Sequence, residues 1–299
     1  MTCRRVFRPL PGRRGTNIQT MTAPAATACE FRPRGGLETL AWPAFDRFPV
    51  DVTVTTRHGG VSAGSYATLN LALHVGDEPA DVLENRRRAA AAMGAGLGDF
   101  VFCSQAHGRE ARIVTAADRG RGAWRLDDAL GGADALVTRD PGTVLAVMVA
   151  DCVPIVLYDP TAQVLACVHA GWRGTVTRVV DAALGAMATL GTRPENVIAG
   201  LGPAISPDRY QVGDEVADAA RACFGVHAES VIRPDGAGRW LFDLWTANVV
   251  ILGQAGVARE HTHVAGIPTD AKPGHFFSDR AVRPCGRFAA IAKLRPRGG

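Results

Sequence analysis

The chain has 299 residues, 47% of them hydrophobic and 21% charged, with a formal net charge of +4. That is enough chain for one large domain or two modest ones, with a core that needs no disulfide staples. The charge is uneven. Residues 1–35 carry seven arginines (Arg4, Arg5, Arg8, Arg13, Arg14, Arg32 and Arg34) against Glu30 alone, leaving 26 basic and 28 acidic residues elsewhere. A body so balanced excludes a basic nucleic-acid-binding surface. The central apolar run 144-VLAVMVA-150 is far short of the ~18–20 residues of a membrane helix, so no membrane partner is expected.

The first 31 residues lack hydrophobic periodicity and carry no apolar segment of the secretory kind. Disorder, an Arg-rich transit peptide and a start at Met21 are competing readings. Residues 1–38 are expected to be a disordered or mis-assigned extension, with one domain over 39–295. The stretch 50-VDVTVTTRHGG-60 predicts a half-buried strand entering a turn, 69-LNLALHVGD-77 a second short strand, and 79-PADVLENRRRAAAAMG-94 a helix. The centre is strand-rich: 100-FVFCSQAHG-108, 143-TVLAVMVADCVPIVLYDP-160 and 163-QVLACVHAG-171, the last two joined through 158-YDPTAQ-163. Helix is predicted over 174–191, strand over 197–205, and helix over 211–225 and 239–257. Strands and helices mix without strict alternation, which predicts an α+β fold: a single layered domain, a mixed β-sheet with helices packed on its faces. Seven cysteines without a C-x-x-C pair point to reduced thiols, with the cytoplasm as the expected compartment.

Three residues stand out chemically. His107, Cys152 and His169 each end a strand-like run beside a turn-former, Gly108, Pro154 and Gly171. Two imidazoles and a thiolate with one position open match a catalytic zinc site. Their spacings of 45 and 17 residues are not those of a zinc finger, so the fold must bring them together; taken singly, core histidines and inert thiols are commoner. Asp151, placed against Cys152 in an apolar run, needs a partner such as a ligand histidine or a substrate group. The segment 171-GWRGT-175 offers the backbone of Gly171, the Arg173 guanidinium and a helix start to an anion. Arg57, before the Gly59-Gly60 turn, suits an oxyanion as well. Trp172 is more commonly core than a stacking surface. The motifs of P-loop, serine-hydrolase and dinucleotide-binding proteins are missing or incomplete. A Cys–His hydrolase built on Cys152 stays open, and eight histidines are few for a multicopper centre.

The ordered series 55-TTRHGGVSAGSYATLNLALHVGD-77, 84-ENR-86, 105-QAHG-108, 133-ADALVT-138, 150-ADCVPIVLYD-159, 168-VHAGWRGT-175 and 202-GPAISPDRYQVGDEV-216 closely resembles the laccase-domain family. Its members go under the names of polyphenol oxidases, peptidoglycan editing factors and purine nucleoside phosphorylases. The resemblance implies a single α+β layered domain with one zinc on His107, Cys152 and His169, copper being the alternative. It implies phosphorolysis of adenosine, inosine, guanosine and methylthioadenosine to free base and ribose-1-phosphate, with adenosine deamination as a further activity. The expected catalytic residues are Arg57, Asp151 and Cys152; Arg57, Asn70, Gly171 and Arg173 are expected to hold nucleoside and phosphate. A monomer or a homodimer is expected, and a thiol hydrolase editing peptidoglycan precursors or a copper-dependent phenol oxidase are the alternatives. The chain departs from the family pattern at Ala106, in lacking a cysteine before Thr269, and in carrying Asp279 where the family has tyrosine.

Overall fold

The apolar run at 143–160 is interrupted by Asp151, and there the chain leaves one sheet for another. The computed structural model describes residues 29–271 and 274–296. Strand Val144–Val149 belongs to a seven-stranded sheet in the order Glu30–Arg34, Leu37–Ala41, Val50–Thr55, Phe288–Leu294, Val144–Val149, Phe100–Ser104 and Leu130–Gly131. Strand Val153–Asp159 belongs to a six-stranded sheet ordered Thr262–Val264, Ile198–Leu201, Val153–Asp159, Val164–Ala170, Ala135–Thr138 and Ala111–Ile113. A three-stranded sheet, Gln211–Val212, Trp240–Phe242 and Ile232–Pro234, stands apart. The two large sheets mix parallel and antiparallel pairs.

Alternate side chains of one strand serve different cores. Leu145, Val147 and Val149 face the second sheet, meeting Val156, Tyr158, Leu165 and Cys167. Val144, Ala146 and Met148 face a layer built on the helix Pro79–Ala92. On the far side of the six-stranded sheet, Val153, Ile155, Leu157, Val164, Ala166 and Val168 pack on the helices Val179–Thr189, Asp214–Phe224 and Leu244–Gln254. The α+β layered fold is as expected, arranged as helix, sheet, sheet, helix. Its β-structure is three sheets rather than one, because strands buried on both faces are apolar throughout and conceal which sheet they join.

Several local readings change. The segment 69–77 is irregular: the Asn70 amide donates to Ala72 O and Asp77 Oδ2 and accepts from the backbone N–H of Ala72 and Arg287, competing with strand pairing. The strand Val50–Thr55 is buried on both faces, its threonine hydroxyls paired to backbone: Thr53 donates to Leu40 O and Thr55 accepts from Ala289 N–H. The 174–191 helix breaks at Arg178, held in the left-handed region at φ 66, into Trp172–Val176 and Val179–Thr189. Strands Gln211–Val212 and Trp240–Phe242 precede helices where helix alone was expected. Residues 1–28 of the expected extension lie outside the described residues, but 29–38 are no appendage. Glu30–Arg34 pairs with Leu37–Ala41, which pairs with Val50–Thr55. This edge strand lacks apolar periodicity because it presents arginines: Arg32 meets Asp46 and Arg34 meets Asp51.

Candidate active site

His107 follows the strand Phe100–Ser104, Cys152 occupies the turn between sheets, and His169 is the penultimate residue of Val164–Ala170. His169 continues the row Leu165, Cys167, His169 that faces the opposite sheet, so the inter-sheet core runs out into this site. One ligand atom from each of the three lies within 4.8 Å of the others, and the two imidazole rings meet edge-on at 4.7 Å. His169 is 2% exposed, Cys152 half-buried and His107 exposed. Gly171 is required by this closeness: a Cβ there would sit 2.9 Å from Cys152 Sγ and 3.2 Å from the His107 ring.

The ring of His169 is oriented by Asp134. Its Oδ1 lies 2.8 Å from His169 Nδ1 and accepts the His107 N–H at 3.0 Å, while Oδ2 accepts the Gly108 N–H at 2.6 Å. The same carboxylate therefore anchors two candidate ligands and holds His107 in the left-handed region at φ 58. Burial pushes the Asp134 carboxyl up, but the hydrogen bond and charge of His169 and the two N–H donors outweigh it and hold it below its ordinary value. Burial would raise the Cys152 thiol as well; the charge of His169 and hydrogen bonds from His107 and His169 bring it down to about 6. His169 is held up at about 9 against its burial, by the Cys152 thiolate and then by Asp134. A thiolate facing imidazoles is the form of cysteine that binds metal or attacks carbon.

These side chains open into a cavity of about 640 Å³ whose lining includes His107, Cys152, Trp172, Arg173, Tyr210 and Arg280. Asp279, Arg283 and Arg287 stand on its wall, the Asp279 carboxylate paired to Arg283 at 2.6 Å and to Arg287 at 3.1 Å. Arg173 covers the Trp172 ring at 4.4 Å and Arg280 the Tyr210 ring at 5.2 Å. The cavity is thus lined by more arginines than carboxylates and is aromatic in two places, next to a thiolate and two imidazoles. Such a wall suits a phosphate beside a flat base.

Not every residue picked from the sequence arrives here. Asp151 lines the cavity at φ 81, but its partner is not a histidine. Its Oδ1 accepts the Thr269 hydroxyl at 2.6 Å and its Oδ2 the Arg280 N–H at 2.7 Å. Arg57 does not line the cavity; its Nε donates to Ala67 O at 2.7 Å and its guanidinium lies 4.6 Å over the Phe277 ring. Asn70 is fully buried behind the wall, where its Oδ1 accepts the Arg287 N–H at 2.9 Å. Arg173 does line it; Gly171 instead supplies the room described above. Sequence reasoning missed Asp134, Tyr210 and the arginines at 280, 283 and 287. An acid opening the apolar run 133-ADALVT-138 is the same signal that drew attention to Asp151. The arginines carry no such signal: they lie in a loop, Arg280 and Arg283 exposed and Arg287 partly buried.

Residues 51–295 match the family model described as multi-copper polyphenol oxidoreductase laccase. A protein named purine nucleoside phosphorylase YlmD, from Geobacillus stearothermophilus, is 38% identical over 244 residues, covering 81% of this chain and 89% of its own length. A crystal structure of YlmD from that organism superimposes with a TM-score of 0.82 at 36% identity, over 89% of this chain and 99% of that one. A protein named adenosine deaminase RL5, from an unknown prokaryotic organism, is 38% identical over 208 residues, covering 70% of this chain and 79% of its own.

Proposed function

The chain belongs to the laccase-domain family, and we propose that within it this protein is a purine nucleoside phosphorylase with adenosine deamination as a side activity. Its substrates are adenosine, inosine, guanosine or methylthioadenosine together with phosphate. The observation that carries the reading is the meeting, in one cavity, of the His107–Cys152–His169 set with the cationic wall of Arg173, Arg280, Arg283 and Arg287. The names of the relatives supply the substrate class.

The residues fit a metal ion. Two imidazoles and a thiolate converge, and Asp134 engages Nδ1 of His169, leaving its other ring nitrogen for the ion. Zinc is the assignment this donor set favours; copper can be held by the same atoms. When bound, the ion supplies a fixed positive charge that polarises an oxygen or nitrogen of the substrate.

The chain's own residues do the rest. Arg173 and Arg280 hold phosphate, and a phosphate oxygen attacks C1′ of the ribose. The C1′–N9 bond breaks with its electron pair passing to the purine, which is protonated to leave as the free base. Trp172 and Tyr210, each beside one of those arginines, give the base an aromatic lining. Burial and the neighbouring Cys152 charge keep the Tyr210 hydroxyl protonated, a donor for the departing ring. Asp151 acts by position, holding the backbone of Arg280; Arg57 and Asn70 act from behind the wall, on Phe277 and Arg287. Among the described residues no helix is long and apolar enough to cross a membrane, and six cysteines are free thiols. Cytoplasm is the compartment those thiols favour.

The test is incubation of the zinc-loaded protein with adenosine and phosphate. Ribose-1-phosphate is expected, with Cys152→Ala reducing its formation at least ~10²-fold, as loss of an electrostatic or ligand group does. Free ribose in place of the phosphorylated sugar, or turnover that does not need phosphate, overturns phosphorolysis. No turnover of adenosine, with cleavage of a peptidoglycan precursor by the metal-free protein that iodoacetamide abolishes, selects the thiol hydrolase instead.

A further inference from the structure

A second group of metal-ligating side chains converges outside the cavity. Glu38, His58 and His275 each place a ligand atom within 4.8 Å of the other two. Glu38 lies on the strand Leu37–Ala41, His58 follows the strand Val50–Thr55, and His275 precedes the strand Phe288–Leu294. None of the three lines the cavity. His275 Nδ1 is 3.2 Å from Glu38 Oε1, and the His275 ring meets His58 edge-on with centroids 5.6 Å apart. Phe31 packs against the His275 ring as well, with centroids 5.0 Å apart.

The backbones bearing these side chains are tied to one another. The Thr56 hydroxyl donates to Glu38 O at 3.0 Å, the His58 N–H donates to Thr56 Oγ1 at 3.2 Å, and the Arg57 N–H donates to His275 O at 2.9 Å. The three backbone positions are therefore held relative to one another, with the ligand atoms already within 4.8 Å. Glu38 and His275 are each 42% exposed on their side chains, so water can reach the remaining positions.

We propose that Glu38, His58 and His275 form a second metal site, one that takes a borderline divalent cation of the zinc class with water completing its shell. Two imidazoles and one carboxylate with open positions are a donor set such ions accept. The set holds no thiolate and is solvent-exposed, so its metal exchanges more readily than one held by Cys152. Its consequence follows from the chain. His275 begins the segment that goes on to supply Asp279, Arg280, Arg283 and Arg287 to the cavity wall. A cation there fastens that wall to the strands Leu37–Ala41 and Val50–Thr55. The proposal stands apart from the phosphorylase reading and fails or survives separately.

The experiment is equilibrium dialysis of the full chain against zinc, with metal counted per chain, alongside cobalt spectra. Two equivalents are expected for the unmodified protein and one for each of His58→Ala and His275→Ala. The sulfur-to-cobalt charge-transfer band of the Cys152 centre should persist in both variants, which also shows them folded around that centre. Hydrogen exchange over residues 274–287 should slow with zinc in the unmodified protein and not in His58→Ala. One equivalent in the unmodified protein with the Cys152 cobalt band present, two retained in both variants, or a lost cobalt band in His58→Ala would each overturn the proposal.

Discussion

The carboxylate of Asp134 serves both histidines of the cavity, accepting from the His169 ring and from the backbone of His107 and Gly108. An amide in its place keeps the shape but gives up the charge and one acceptor. Asp134→Asn should therefore weaken zinc binding ~10–100-fold, the usual range for a residue that orients a ligand. Competition with a chromophoric chelator measures this, and an unchanged zinc affinity would show that His169 is oriented without it. Asp279 makes a different kind of contribution. It partly neutralises Arg283 and Arg287 within the wall, its own side chain being 30% exposed. Asp279→Asn should lower the KM for phosphate by up to ~5-fold, the limit set by an exposed ion pair of ~1 kcal/mol; a raised KM would mean that Asp279 chiefly holds the arginines in place. At this scale the sequence is informative where chemistry contradicts pattern. His107, Cys152 and His169 are visible because histidine and thiol end runs that otherwise ask for buried strand. Asp151 shows that it needs a partner without showing which, since Thr269 and Arg280 reach it from more than a hundred residues away, at sequence separations of 118 and 129. Arg57 looks like an anion ligand because an arginine beside paired glycines is the same sequence whether it faces solvent, substrate or a phenylalanine.

The helix Pro79–Ala92 is fastened by Arg86, a 1% exposed guanidinium with no carboxylate partner among the described residues. Its Nε donates to Leu71 O, its Nη1 to Gly122 O and Ala123 O, and its plane lies 4.2 Å over the Phe102 ring. Burial alone lowers its pKa to about 10, which still leaves it charged at neutral pH. Arg86→Met keeps the apolar stem and strands three carbonyls, at ~1–3 kcal/mol for each one left unpaired, with a total above ~3 kcal/mol. Urea unfolding should show the midpoint drop; a shift below ~1 kcal/mol would mean that water replaces the guanidinium. The edge strand Glu30–Arg34 is held more loosely. Arg32 makes two hydrogen bonds to Asp46, at 2.8 and 2.7 Å, and holds the Asp46 carboxyl below its ordinary range. A carboxyl depressed in the folded state stabilises above its unfolded pKa near ~4, and that contribution is lost as pH falls through the folded value. Solvent exposure of both partners keeps it under ~1 kcal/mol. Arg32→Ala should thus narrow the gap in stability between pH 7 and pH 3 slightly, and a larger loss at pH 3 than at pH 7 would reverse the sign. Helices were easier to foresee than strands here because capping and composition are local. The strand at 69–77 failed for a local reason as well, Asn70 supplying side-chain bonds in place of a partner strand.

The layered α+β fold was legible as a whole because every central segment is apolar and bounded by turn-formers. The division into two stacked sheets was not, because strands buried on both faces carry no alternation to say which neighbour lies on which side. That division decides where the site lies. His107 hangs from a strand of one sheet, His169 from a strand of the other, and Cys152 from the turn that passes between them. A metal on these three residues therefore ties the two sheets together at their open end, and its binding energy becomes folding energy. With free zinc at a thousand times its dissociation constant, the folded state gains about 4 kcal/mol over an unfolded chain that does not bind. For a domain of this size that is a rise in Tm of roughly 10 °C. Thermal unfolding with zinc and with chelator should show this rise in His58→Ala, and at least as large a rise in the unmodified protein, which holds the second ion as well. In Cys152→Ala most of it should vanish, because the charged ligand is gone while both sheets keep their apolar packing. A shift that survives in Cys152→Ala and disappears in His58→Ala would mean that the stabilising ion sits on Glu38 and His275, and that the sheets hold together at the cavity without one.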